Sequence, residues 1–160
     1  MASGPEVPRP RRDRAAEDRT RGRRAGRRLA LAAVFEAEFG QRTPDAILER
    51  HLAAEGDAGA SALAREIVAN VVLHRDSLDD RITAAAPQYP VVSLARMDRA
   101  LLRCGLCEVL HSPATPARVA IAEWVDLART YSGDPMRRLM NGVLGRVARD
   151  QDATRRDTPV

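Results

Sequence analysis

The sequence predicts an all-α protein, a compact bundle of about six to seven helices. Three observations carry that expectation. Aromatic residues make up 3% of the chain and alanine is the small apolar residue used most, which suits close helix packing and not a β-sandwich rich in Val, Ile, Tyr and Phe. Apolar residues recur at three- and four-residue intervals, and no segment reads convincingly as a strand. Finally, Thr43-Pro44, Thr115-Pro116 and Asp134-Pro135 repeat one signature, a capping residue followed by a proline that fits the first helical turn. At 160 residues the chain suits one domain with a real core.

Taken in order, residues 1–21 hold Pro5, Pro8, Pro10 and dense charge with few apolar side chains, and are predicted to form a disordered Arg-rich arm. The first helix is expected over about 23–40, with Leu31, Val34, Phe35 and Phe39 on one face. Thr43-Pro44 opens the second, which carries Ile47, Leu48 and Leu52 and stops near Gly56. The third spans about 61–86, with Ala64, Ile67, Val68, Val71, Arg75 or His74, Leu78 and Ile82 as its buried stripe, and Pro87 and Pro90 end it. The fourth covers about 93–111, with Leu94, Met97, Leu101, Leu102 and Leu106 inward. Thr115-Pro116 opens the fifth, with Val119, Ile121, Val125 and Ala128 inside. Asp134-Pro135 opens the sixth, with Leu139, Met140, Val143 and Val147 inside and Gly142 and Gly145 placed for close packing. The folded domain is thus expected over 22–150, with a disordered tail over 151–160.

Charge is unevenly spread. All 26 basic residues are arginine. Residues 1–28 hold 10 of them against four acids, a net of +6, and the remainder holds 16 against 18 acids, a net of −2. A near-neutral body with a basic arm points to a polyanion partner, with a solubilising tail as the alternative. The longest strongly apolar run, Leu29–Phe35, is far short of the roughly 18–20 residues of a membrane span. No signal peptide is evident, and two cysteines cannot make a disulfide framework. These features predict a cytoplasmic protein.

Cys104-Gly105-Leu106-Cys107 invites a redox or zinc reading. A thioredoxin-like site needs this motif between a strand and a helix, and zinc needs four ligands. Here it lies inside a helical pattern, with His111 as the one further candidate ligand on its face. The expectation is buried structural thiols, with no metal and no cofactor. His51 and His74 lack partners of catalytic type, and no nucleophile elbow, phosphate-cradling glycine loop or dinucleotide fingerprint occurs. A non-enzymatic role is expected.

Arg23, Arg24, Arg27 and Arg28 project onto the same sector of the first helix as Leu31, Val34 and Phe35. A core cannot accept four unpaired guanidinium groups. This turn is therefore expected to overhang the bundle and present its arginines outward, where their forks suit phosphate. A frayed, solvated turn is the alternative. A second cluster, Tyr131 with Arg129, Arg137 and Arg138, pairs a stacking ring with phosphate ligands, as single-stranded RNA sites do. Tyr131 serving as core at a helix end is the competing view.

Several segments together resemble NusB-type transcription antitermination factors. Met97-Asp98-Arg99-Ala100-Leu101-Leu102-Arg103 and Glu108-Val109-Leu110 look like that family's central helix. So do Thr115-Pro116 through Arg118-Val119 and Ile121 through Arg129. Met140-Asn141-Gly142-Val143-Leu144-Gly145 is similar to its Val-Asn-Gly-Val-Leu signature, and Arg23-Arg24, Arg27 and Ala33-Val34-Phe35 to its Arg-rich start. The resemblance covers about residues 23–149, and its specificity lies in order and spacing rather than in any one motif. Departures occur at Ala122, where the family often has Asn, at Leu139, where it often has Phe, and at Cys107 and Ala117, where it often has Tyr.

The resemblance implies two packed helical subdomains and a protein that binds boxA-like single-stranded RNA together with NusE, a small-subunit ribosomal protein. The assembly acts on the transcription elongation complex, notably during ribosomal RNA synthesis. Carried over by position, Arg23, Arg24 and Arg27 match the RNA-binding segment, and Asp98 stands where the family commonly has a partner-facing glutamate. Members are monomers or homodimers. A related domain precedes some RNA cytosine methyltransferases, but the length here predicts a stand-alone factor. A helical protein–protein interaction module without RNA binding is the alternative function.

Overall fold

The computed structural model describes residues 10–158. Six α-helices and one 3-10 turn make up the described chain, with no strand among the described residues. They are α1 (Arg11–Ala37), α2 (Pro44–Leu52), α3 (Ala58–Ala85), the 3-10 turn Val91–Ser93, α4 (Arg96–His111), α5 (Ala117–Tyr131) and α6 (Asp134–Asp157). Helices α1, α2 and α3 pack on one another, as do α4, α5 and α6. Helix α4 joins the two groups by packing on both α3 and α1.

The core follows the apolar stripes. Leu31, Val34, Ile47, Leu48, Ile67, Val68, Leu78 and Ile82 fill one half, and Leu101, Leu102, Leu106, Trp124, Met140 and Leu144 the other. Two glycines set close approaches between helices. A Cβ on Gly26 would stand 2.7 Å from the Ala60 carbonyl oxygen, so α1 crosses α3 backbone to backbone. A Cβ on Gly105 would stand 2.9 Å from Met140 Cε and 3.2 Å from Trp124 Cβ, so α4 admits α5 and α6 together. Gly142, expected to do this work, is exposed and would meet nothing within 4 Å. Gly145 would meet only the end of its own helix's Arg149 side chain.

Several boundaries and faces differ from expectation. Helix α1 begins at Arg11, inside the arm predicted to be disordered, and α6 runs through most of the predicted tail to Asp157. Both extensions grow from a packed helix, so they add residues without a new nucleation step. Thr43 caps α2 by accepting from the Ala46 amide, and Asp57, not foreseen, caps α3 by accepting from the Ala60 amide. Thr115 caps nothing: α5 starts at Ala117 after Pro116, while α6 starts at Asp134 after Gly133 at φ 128°. Val119 is exposed because Ala120, Trp124 and Ala128 set the inward face of α5. Phe39 lies two residues beyond the end of α1. It is 54% exposed, edge-on to Phe35 and beneath the Arg96 guanidinium.

Candidate nucleic-acid interface

The four arginines at the predicted site have three different fates. Arg27 is buried, with 2% of its surface exposed. Its Nε donates to Glu108 Oε2 at 2.9 Å and its Nη2 to Glu108 Oε1 at 2.8 Å. The Trp124 indole N–H donates to the same carboxylate at 2.6 Å. Glu108 is fully buried on α4, and Glu123 of α5 lies 3.8 Å from Arg27 Nη1. Arg27 thus ties α1 to α4 and α5 through a satisfied buried ion pair, and the expectation that it faces outward is corrected. The premise about unpaired guanidinium groups holds, but one of the four has a partner 81 residues away in sequence.

Arg23 and Arg24 stand at the margin of that site. Arg23 Nη2 donates to the Thr115 hydroxyl and lies 3.8 Å from Glu108 Oε1, with 36% of its side chain exposed. Arg24 makes a two-pronged contact with Glu123, Nε to Oε2 at 3.0 Å and Nη2 to Oε1 at 3.1 Å, with 56% of its side chain exposed. The hydrogen bond and charge of Glu123 raise the Arg24 pKa further, and Asp126 adds to this. Arg28 is exposed, with no ion pair among the described residues. It lines an open groove along α1 with Arg21 and Arg24. The outward cationic edge is therefore Arg28, Arg24 and part of Arg23.

The second cluster is also displayed at the surface. Tyr131 is 45% exposed at the end of α5, which sets aside its alternative role as core. Arg137 bonds Asp134 at 3.2 Å within one turn of α6, and Arg129 bonds Asp126 at 2.6 Å within one turn of α5. Arg138 is exposed without an ion pair among the described residues. Asp98, in the first turn of α4, accepts a hydrogen bond from Ser132 Oγ at 2.7 Å, which joins α4 to the α5–α6 turn beside Tyr131. Tyr131 follows Glu123 by eight residues, about 12 Å along α5. The two clusters are separate patches linked by one helix.

A second buried arginine resembles Arg27. Arg103 donates to both oxygens of Asp79 at 2.8 and 2.9 Å and to Glu38 at 2.6 Å, while Arg99 reaches Glu38 at 2.7 Å. Burial lowers the Arg103 pKa, but Asp79 and Glu38 outweigh it and leave the net shift upward.

Cys104 and Cys107 are both fully buried on α4. Burial, with the neighbouring Cys107 and Glu108, drives the Cys104 pKa far up, and burial beside Glu108 and Glu66 pushes Cys107 to about 12. Burial thus favours the protonated form of both thiols at neutral pH, which makes them poor nucleophiles. Among the described residues, no group of three or more His, Cys, Asp or Glu side chains is placed to hold a metal ion. None of the described helices is long and apolar enough to cross a membrane.

Glu108 is the functional residue that sequence reasoning missed. A signal was present: one acid on a helix face otherwise made of Leu101, Cys104 and Gly105 demands a buried cation, and Trp124 needs an acceptor.

The fold and this edge define an all-helical two-subdomain protein whose basic first helix is clamped to its second subdomain by an internal ion pair. The model of the NusB family matches residues 24–149, and the chain belongs to that family. It is 35% identical over 136 residues to the transcription antitermination protein NusB of Symbiobacterium thermophilum, covering 79% of this chain and 89% of that protein. It is 37% identical over 133 residues to that of Clavibacter sepedonicus, covering 81% and 97%. Among solved structures, NusB of T. maritima superposes with a TM-score of 0.75 at 28% identity, covering 80% of this chain and 91% of that one. A complex of the antitermination factors NusB and NusE with double-stranded RNA matches with a TM-score of 0.73 at 20% identity, covering 81% and 98%, a likeness of fold.

Proposed function

We propose that this chain is a non-enzymatic, cytoplasmic transcription antitermination factor. It binds boxA-type RNA together with NusE and supports transcription of ribosomal RNA operons. The observation that carries this reading is the exposed arginine edge of α1, held against α4 and α5 by the buried Arg27–Glu108 pair, in a member of the NusB family.

RNA phosphates are bound by Arg24, Arg28 and the exposed part of Arg23. Tyr131, Arg137 and Arg138 form a second contact, with the ring stacking on a base. Arg27 is a positioning residue. Asp98 and the segment before α4 form the protein-docking side. That segment displays Tyr89, 47% exposed, and Val92, 85% exposed, which supports a protein partner there.

The test is binding of boxA-like RNA, single-stranded and duplex, with and without purified NusE, over a range of salt. The reading expects RNA affinity that falls with salt and rises with NusE. NusE binding with no measurable RNA binding favours the interaction-module alternative. Asp98→Arg is expected to weaken NusE capture while helical content stays unchanged.

A further inference from the structure

Helix α1 outruns the bundle. Its packing begins at Gly22, where a Cβ would stand 2.9 Å from the Asp57 carboxylate that caps α3. On the N-terminal side of Gly22 every residue from Arg11 to Arg21 is exposed. These residues also precede the family match, which begins at residue 24. The overhang thus lies outside the residues that the family model matches.

The inward face of the overhang has a definite composition. Successive helical residues turn by about 100°, so Arg12, Arg19 and Arg23 fall within about 40° of one another. Arg12 shares its angular position with Ala30, five turns along, and Ala30 is fully buried against the core. The arginine line thus falls on the side of α1 that packs on the bundle farther down. Ala15 and Ala16 flank the line and leave the helix surface low, and no acid of α1 falls in that sector, while Asp57 and Glu55 face α1 only at its base beside Gly22. Asp13, Glu17 and Asp18 lie on other sectors, and Asp18 pairs with Arg21 at 3.3 Å. The line ends at Arg23, whose guanidinium already reaches Thr115 just ahead of α5.

We propose that Arg12 and Arg19 bind phosphates of RNA flanking the element held at Arg23, Arg24 and Arg28, so that the overhang is a sequence-independent extension of the interface. This rests on the RNA-binding reading above. Arginine forks at successive turns suit a phosphate chain. A membrane surface is a poor fit, since an interfacial helix needs Leu, Phe or Trp on one face and this sector offers two alanines. The helix is nucleated by its packed half, so RNA does not have to order a free arm, and the entropy cost of each contact is small.

The experiment compares a minimal boxA-like RNA with the same element carrying unstructured flanks of two unrelated sequences. Wild type and the Arg12→Ala/Arg19→Ala variant are titrated at several salt concentrations. The flanked RNAs are expected to bind wild type with a salt slope steeper than the minimal RNA by about 0.7 per phosphate, up to about 1.4 for both arginines. The variant is expected to lose that increment and to match wild type on the minimal RNA. Overlapping curves for variant and wild type on flanked RNA overturn the proposal, as does equal loss on minimal and flanked RNA. Loss of NusE capture with RNA binding unchanged also overturns it, placing a protein on that face. Failure of wild type to bind even the minimal RNA removes the underlying reading, and this inference with it.

Discussion

Arg27 and Arg28 are neighbours in sequence and opposites in role. One is 2% exposed and holds both oxygens of Glu108; the other faces water with no ion pair among the described residues. One residue along a helix is about 100° of rotation, which here separates the seam between subdomains from the surface. A run of arginines is therefore not one functional unit. The members facing the seam hold the helix in place, and those facing outward are free to meet a ligand.

The largest effect is expected at the seam. Arg27→Ala leaves Glu108 charged, buried and short of its main partner, which costs about 3–5 kcal/mol of stability. A urea or thermal melt measures it, and a loss below about 1 kcal/mol, the scale of a surface pair, breaks the distinction. Replacing both partners, as Arg27→Met with Glu108→Gln, removes the charges and keeps the volume. It is expected to recover most of the loss, because a buried pair is close to neutral against a shape-matched substitute. Gly26→Ala probes the same seam through packing. Its Cβ would meet a backbone oxygen at 2.7 Å, and a cost of about 1–3 kcal/mol is expected in the same melt.

Outside the seam the readout changes from stability to binding. Arg28→Ala is expected to shift stability by less than about 0.5 kcal/mol and to flatten the salt slope of RNA binding by about 0.7 if the side chain touches one phosphate. Glu123→Gln sharpens the comparison from the acid's side. Glu123 occupies both prongs of Arg24, so weakening that grip is expected to tighten RNA binding and steepen the slope. Weaker binding in this variant instead makes Arg24 structural, like Arg27.

The smallest effect concerns acid. The His111 pKa is lowered, first by burial and then by the charges of His74 and Arg81, and the His74 and His111 rings stack at 3.9 Å. A histidine depressed in the folded state contributes stability that is present above its unfolded pKa of about 6.5 and is lost as pH falls below it. His111→Asn is expected to reduce the loss of melting temperature between pH 7.5 and 5.5.

The helical architecture was legible because it rests on local signals. Thr43-Pro44 caps α2 as expected, and the apolar stripe from Ala64 to Ile82 is buried, though neither Arg75 nor His74 joins it, because a charged or polar side chain at that turn stays at the surface. The burial of Cys104 and Cys107 followed from their place within a helical pattern. What was not legible depends on partners distant in sequence or on helix phase. Arg27 is buried because Glu108 receives it, and periodicity on α1 alone cannot see α4. Val119 was misplaced because the inward face of α5 is set by Trp124, whose indole seeks Glu108. The helical arm at 11–21 was missed because its composition reads as disordered, while the packed half of α1 supplies the nucleus it extends. At the interface, the arginine run was found as a set, and its division into inward and outward members came only from the fold.

The most direct test of that division sets the salt dependence of RNA affinity in Arg28→Ala beside that in the folded double variant Arg27→Met/Glu108→Gln. A slope flattened by about 0.7 is expected in the first and a wild-type slope in the second. A wild-type slope for Arg28→Ala together with a flattened slope for the double variant contradicts it, because the buried arginine would then be the one that meets phosphate.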